Sequence, residues 1–92
     1  FSNDVLMMKI GAGNPDDPSQ FGFGASLKSS KKAVERNKVK RWMREAVRAH
    51  LSEIQSGRVA IFFMNPKFQK EKLNFQLIAD KVENLLKKAK IL

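Results

Sequence analysis

The sequence predicts a single α/β domain of the α+β kind, a two-layer sandwich in which a small sheet carries two helices. Three observations lead there. The chain has 92 residues, 42% of them hydrophobic and seven of them Phe, enough for one modest core and too few for two domains. Three apolar runs have the length of strands, and two longer segments repeat apolar residues at the helical period. No repeat, low-complexity tract or linker interrupts the chain, so residues 1–92 are predicted to fold as one unit.

The elements follow in order. VLMMKI, residues 5–10, is an apolar run of strand length. GAGNPDDPSQ, residues 11–20, gathers Gly, Pro, Asn and Asp, which supply positive φ, fixed φ and side-chain-capped turns, and reads as a loop. FGFGASL, residues 21–27, alternates strictly: Phe21, Phe23, Ala25 and Leu27 point to one face, while Gly22, Gly24 and Ser26 leave bare backbone on the other. Glycines inside a strand mark close approach of a ligand or of another packed element, and the sequence leaves both open.

Residues 29–54, SSKKAVERNKVKRWMREAVRAHLSEI, follow with a Ser available as N-cap and a helical period. At about 100° per residue from Arg36, the side chains of Lys40, Arg44, Asn37, Arg48 and Arg41 fall within an arc of about 140°. Val39, Trp42, Met43, Ala46 and Ala49 lie opposite, which places Trp42 in the core rather than on a base. The Gly of QSGRVAIFFMNP, residues 55–66, can end that helix, and VAIFFM is apolar on both faces, as in a strand buried mid-sheet. Asn74 can cap a last helix in which Phe75, Ile78, Ala79, Val82, Leu85, Leu86 and Ala89 recur at helical spacing. Lys87, Lys88 and Lys90 sit in its final turns, where the helix dipole favours cations, and need no function there.

The formal charge is +9, and it is concentrated: residues 28–48 hold nine Lys or Arg against two Glu, a net of +7. A cationic block of this density in a folded domain predicts a polyanionic partner. Arg forks can each grip two phosphate oxygens, and Asn37 can donate and accept at a sugar or base edge.

Catalytic chemistry finds little support. There is no cysteine, so disulfides, thiolate metal sites and thiol catalysis are excluded. His50 is the lone histidine and reads as a helix-surface residue. The nine carboxylates are scattered, and GAG and FGFG lack the spacing of a phosphate-binding glycine loop. No apolar run approaches the roughly 18 residues of a membrane span, and the first residues do not resemble a signal peptide, so a cytoplasmic protein with no membrane and no small-molecule substrate is expected.

The segment RNKVKRWMREAVR resembles the signature of the bacterial ribonuclease P protein subunit, Arg-Asn-x-x-Lys-Arg-x-x-Arg-Glu-x-x-Arg. All seven fixed positions are present, at Arg36, Asn37, Lys40, Arg41, Arg44, Glu45 and Arg48. The resemblance runs without a gap back through the FGFG strand and forward to the terminal helix. It implies a fold like that of the second domain of a small-subunit ribosomal protein, with a left-handed β-α-β crossover where the general rule would give a right-handed one. It also implies a protein cofactor of a ribozyme: the RNA subunit and its Mg²⁺ ions hydrolyse precursor tRNA at the 5′ end, and the protein carries no catalytic residue and no cofactor of its own. By the same resemblance Arg36, Asn37, Lys40, Arg41, Arg44 and Arg48 contact ribonuclease P RNA, with Lys31 and Lys32 adding charge at the helix start. Ser26 and Lys28 border a cleft across the sheet that holds the single-stranded leader.

Two departures from the family pattern bear on the leader. Family members usually begin with a further helix and short strand whose aromatic residues line that cleft, and this chain starts about where the next strand begins. Many relatives also have a second Lys where this chain has Leu27, which lowers the charge beside Lys28 and should weaken leader affinity. Three other functions are weighed against the family's. A general structured-RNA-binding or ribosome-associated protein would share the charge but need not hold all seven positions. A membrane-surface helix would need to face lipid with the large apolar residues that the core uses, and an independent nuclease would need clustered carboxylates.

Overall fold

The computed structural model describes residues 1–24, 33–65 and 73–91, the side chains of 33–35 excepted. In chain order the elements are β1 (Leu6–Gly11), β2 (Gln20–Gly24), α1 (Ala33–Arg48), β3 (Val59–Met64) and α2 (Phe75–Lys88). The sheet order is β1-β3-β2. β1 runs antiparallel to β3, with Leu6 opposite Met64 and Gly11 opposite Val59. β2 runs parallel to β3, with Phe21 opposite Ala60 and Phe23 opposite Phe62. Parallel neighbours need a long connection, and α1 supplies it.

One face of the sheet builds the core. Leu6 and Met8 of β1 and Ala60, Phe62 and Met64 of β3 pack with Val39, Met43, Ala46 and Val47 of α1 and Ile78, Val82, Leu85 and Leu86 of α2. Phe62 is fully buried at the centre. The ring of Phe23 lies nearly parallel to it at 6.1 Å, and Phe21 is tilted against it at 6.4 Å. The alternation of FGFG therefore works as predicted, although both of its rings are half-buried because β2 is an edge strand.

Local chemistry fixes the ends. Asn74 caps α2, its side-chain oxygen accepting from the Leu77 N–H at 2.8 Å. Asn3 ties the amino terminus down: its Oδ1 accepts from the N–H groups of Val5 and Leu6, and its Nδ2 donates to the Lys81 carbonyl and to Asn84. The 11–19 loop is held to the turn before β3 by Ser19, whose hydroxyl donates to the Gln55 carbonyl at 2.6 Å and accepts from the Arg58 N–H at 3.0 Å. Gly57 has φ +78°, and a β-carbon there would stand 2.6 Å from Pro15 Cα. Its lack of a side chain is what lets the two loops touch.

Three sequence expectations need correction. The helix predicted over 29–54 ends at Arg48, and residues 49–53 continue as turns with shorter-range bonds, His50 N–H to the Val47 carbonyl and Leu51 N–H to that of Arg48. Ala49, Leu51, Ser52 and Glu53 are exposed, so no apolar face holds a further helical turn down. The core stripe of α1 is also rotated: Val47 is buried, Ala49 is exposed, and Trp42 is half-buried at the flank with Lys38 Nζ 5.2 Å from its ring centre. Finally, β3 is central but not buried on both faces: Ile61 is 50% exposed between buried Ala60 and Phe62, and Val59 and Phe63 are half-buried.

Candidate nucleic-acid interface

The rotation of α1 decides where its cations go. With Val39, Met43, Ala46 and Val47 against the core, the polar arc turns toward the β2 side of the domain. Asn37, Arg41, Arg44 and Arg48 are exposed, while Arg36 and Lys40 are half-buried at the margin of the core. No described carboxylate pairs with Arg36, Lys40, Arg41, Arg44 or Arg48. Glu45, the acidic position of the signature motif, is exposed and likewise has no described cation partner.

The cations of α2 are arranged differently. Lys81 meets Asp4 at 2.7 Å, Lys87 meets Glu83 at 3.3 Å, and Lys88 donates to the Ser2 carbonyl at 3.0 Å. Two groups of positive charge thus coexist in one small domain, one tied into the fold and one left facing outward. An outward stripe of like charges repels itself and costs stability, so it makes physical sense where a polyanion covers it.

The second surface is the outer face of the sheet. Register places Met7 and Lys9 of β1, Ile61 and Phe63 of β3, and Gly22 and Gly24 of β2 side by side there. Lys9 is exposed, with Nζ 5.8 Å from the centre of the Phe63 ring. A β-carbon at Gly24 would meet Phe63 Cβ at 3.7 Å, an ordinary contact, and one at Gly22 would meet Ile61 Cγ1 at 3.4 Å. Among the described residues no element packs over these glycines, and the neighbouring Ile61 and Phe63 side chains lie nearest them.

Of the sequence-predicted site residues, α1 brings Arg36, Asn37, Lys40, Arg41, Arg44 and Arg48 onto one flank. Lys31, Lys32, Ser26 and Lys28 lie outside the described residues. The sequence reading missed Lys9, Ile61 and Phe63. The alternation of the glycines in FGFG pointed at this face, but VAIFFM hid it by being apolar on both sides. Among the described residues no group of three or more His, Asp or Glu could together hold a metal ion, and no helix is long and apolar enough to cross a membrane.

The chain is similar to known proteins along nearly its whole length. The family model described as Ribonuclease P matches residues 1–90. The ribonuclease P protein component of Microcystis aeruginosa is 39% identical over 75 residues, covering 82% of this chain and 61% of that protein. That of a Pseudanabaena species is 33% identical over 92 residues, covering 100% of this chain and 78% of that protein. Among solved structures, the Staphylococcus aureus RNase P protein superposes with a TM-score of 0.81 at 26% identity, over 99% of this chain and 80% of that one. The Thermotoga maritima RNase P protein, solved with 1-(4-fluorophenyl)-2-thiourea, gives 0.81 at 30% identity over 96% of this chain and 82% of that one.

Proposed function

The chain belongs to the ribonuclease P protein family, and from that premise we propose that it is the protein cofactor of a tRNA-processing ribozyme. The observation that carries this reading is the basic stripe of exposed Arg41, Arg44 and Arg48 and half-buried Arg36 and Lys40, with Asn37 among them, on one arc of α1 and without described acidic partners. The guanidinium forks and Lys40 grip backbone phosphates of structured ribonuclease P RNA, and Asn37 reads a sugar or base edge. Lys31 and Lys32, which precede α1 in the sequence, add two further charges to the RNA-binding set.

The outer sheet face holds the single-stranded 5′ leader of precursor tRNA. Phe63 and Ile61 offer stacking and apolar contact, Lys9 offers charge, and the bare backbone at Gly22 and Gly24 lets the strand lie close. Ser26 and Lys28, which follow β2 in the sequence, belong to the same leader site by the family resemblance. The chain acts by binding and positioning, while the RNA and its Mg²⁺ ions supply the phosphodiester hydrolysis.

The test is equilibrium binding to bacterial ribonuclease P RNA and to a ribosomal RNA fragment of equal length, each titrated with salt. Tighter, salt-sensitive binding to ribonuclease P RNA is the expected result. Equal affinity for both would favour a general structured-RNA-binding protein instead.

A further inference from the structure

Between the second half of α1 and the edge strand β2 lies a cavity of about 280 Å³ that the RNA-binding stripe alone does not explain. Phe21, Phe23 and Val47 form its inner wall, Leu51 stands beside them at 48% exposure, and Arg44 and Arg48 border it. Its size lies just below the roughly 300 Å³ at which pockets for drug-sized ligands begin, which suits a single ring system. A second cavity of about 340 Å³ adjoins it, sharing Ser19 and Leu51, and has no charged residue in its lining.

Resting on the RNA-binding reading above, we propose that the first cavity takes one unstacked nucleobase of a bound RNA, with the ring against Phe21, Phe23 and Leu51 and its flanking phosphates on Arg44 and Arg48. The two halves of the lining select this ligand together. An apolar side chain from a protein partner would fill the inner wall but strip water from two guanidinium groups that have no described acid to meet them. Free phosphate would satisfy the guanidinium groups and leave the aromatic wall wet. A nucleotide splayed from its helix brings a π face and an anion in one ligand, the usual way in which proteins grip unpaired RNA.

The strand edge adds hydrogen-bonding capacity. Gln20 donates its N–H across to the Arg58 carbonyl on the β3 side, so by alternation Phe21 and Phe23 turn their backbone N–H and C=O groups away from β3. No described strand pairs with that edge. Ser19, in contrast, is already committed through both hydroxyl bonds to the neighbouring turn, so it shapes the end of the cavity without reading the base.

Methyl NMR on the full chain tests this, with adenosine 5′-monophosphate and ribose 5-phosphate as probes that share the phosphate and differ in the base. The nucleotide should shift the Val47 and Leu51 methyl resonances, and ribose 5-phosphate should move the Arg44 and Arg48 side-chain resonances alone. Leu51→Ser keeps the charge and alters an exposed position, so it should fold as the parent does. It should lower affinity for ribonuclease P RNA about fivefold or more, the low end for loss of a base stack, with the slope of affinity against salt unchanged. Equal shifts from both probes, or unchanged RNA affinity in Leu51→Ser, would overturn the pocket while leaving RNA binding by the stripe intact. Loss of salt-sensitive RNA binding in the parent chain would overturn the underlying reading as well.

Discussion

Replacing Arg41 by Ala tests one of the phosphate contacts proposed for the α1 stripe. Five described cations lie on that arc, three exposed and two half-buried, and each phosphate neutralised contributes about 0.7 to 0.9 to the slope of log affinity against log salt. The stripe as a whole therefore predicts a slope of about −3.5 to −4.5, or a loss of roughly 100- to 500-fold in affinity between about 50 and 200 mM salt. Arg41→Ala should make that slope shallower by about 0.7 to 0.9 and weaken binding at low salt by about 1 to 3 kcal/mol. Its side chain is exposed and has no described partner, so folding stability should change by less than about 0.5 kcal/mol. The control is Lys87→Ala on α2, which removes the same charge from a residue already paired with Glu83 at 3.3 Å. Filter binding or anisotropy at four or more salt concentrations reads both slopes. An equal change of slope in the two variants would refute the localisation of RNA binding to α1, because net charge alone would then govern affinity.

The other predictions concern the fold and the open sheet face. Gly24→Ala should fold normally, since a methyl there meets Phe63 Cβ at an ordinary 3.7 Å, yet it should reduce preference for leader-bearing over leaderless precursor tRNA. Gly57→Ala, at φ +78° and against Pro15, should instead cost at least about 1 to 2 kcal/mol by chemical denaturation. Phe62→Ala should cost about 3 to 5 kcal/mol, and Trp42→Ala about half as much because Trp42 is half-buried. Lys81, by its hydrogen bond at 2.7 Å, holds the Asp4 carboxyl below the usual carboxylate range. A depressed folded pKa stabilises above the unfolded value, so the margin of the parent over Asp4→Asn in thermal melts should be present at neutral pH. It should close as the pH falls below about 4, and its size should be small because Asp4 is exposed.

What could be read from the residues follows from which physical signals are local. The cap at Asn74, the inward Phe21 and Phe23 and the apolar stripe of α2 depend on near neighbours and form as the pattern indicates, except that Phe75 at the start of that stripe is 41% exposed. The facing of α1 was displaced because Trp42, the largest residue on the helix, drew the centre of the apolar arc toward itself. In the structure the smaller Val47 fills the core, and Trp42 lies at the boundary under Lys38. Ile61 and Phe63 could not be placed because hydrophobicity does not distinguish a face covered by the fold from one left open to solvent. The tie of Asn3 to α2 was equally hidden, since it joins residues 78 and 81 positions apart. The cavity beside β2 needed three dimensions, for its wall and its rim come from separate elements.

Leader removal from a precursor tRNA is the most direct trial of the cofactor reading, run with bacterial ribonuclease P RNA at low Mg²⁺, with and without this chain, beside a control holding the chain alone. Cleavage should rise when RNA and protein are present together and should be absent from the protein-only control. Cleavage by the chain alone, or no stimulation together with no salt-sensitive binding to the RNA, would contradict the cofactor role.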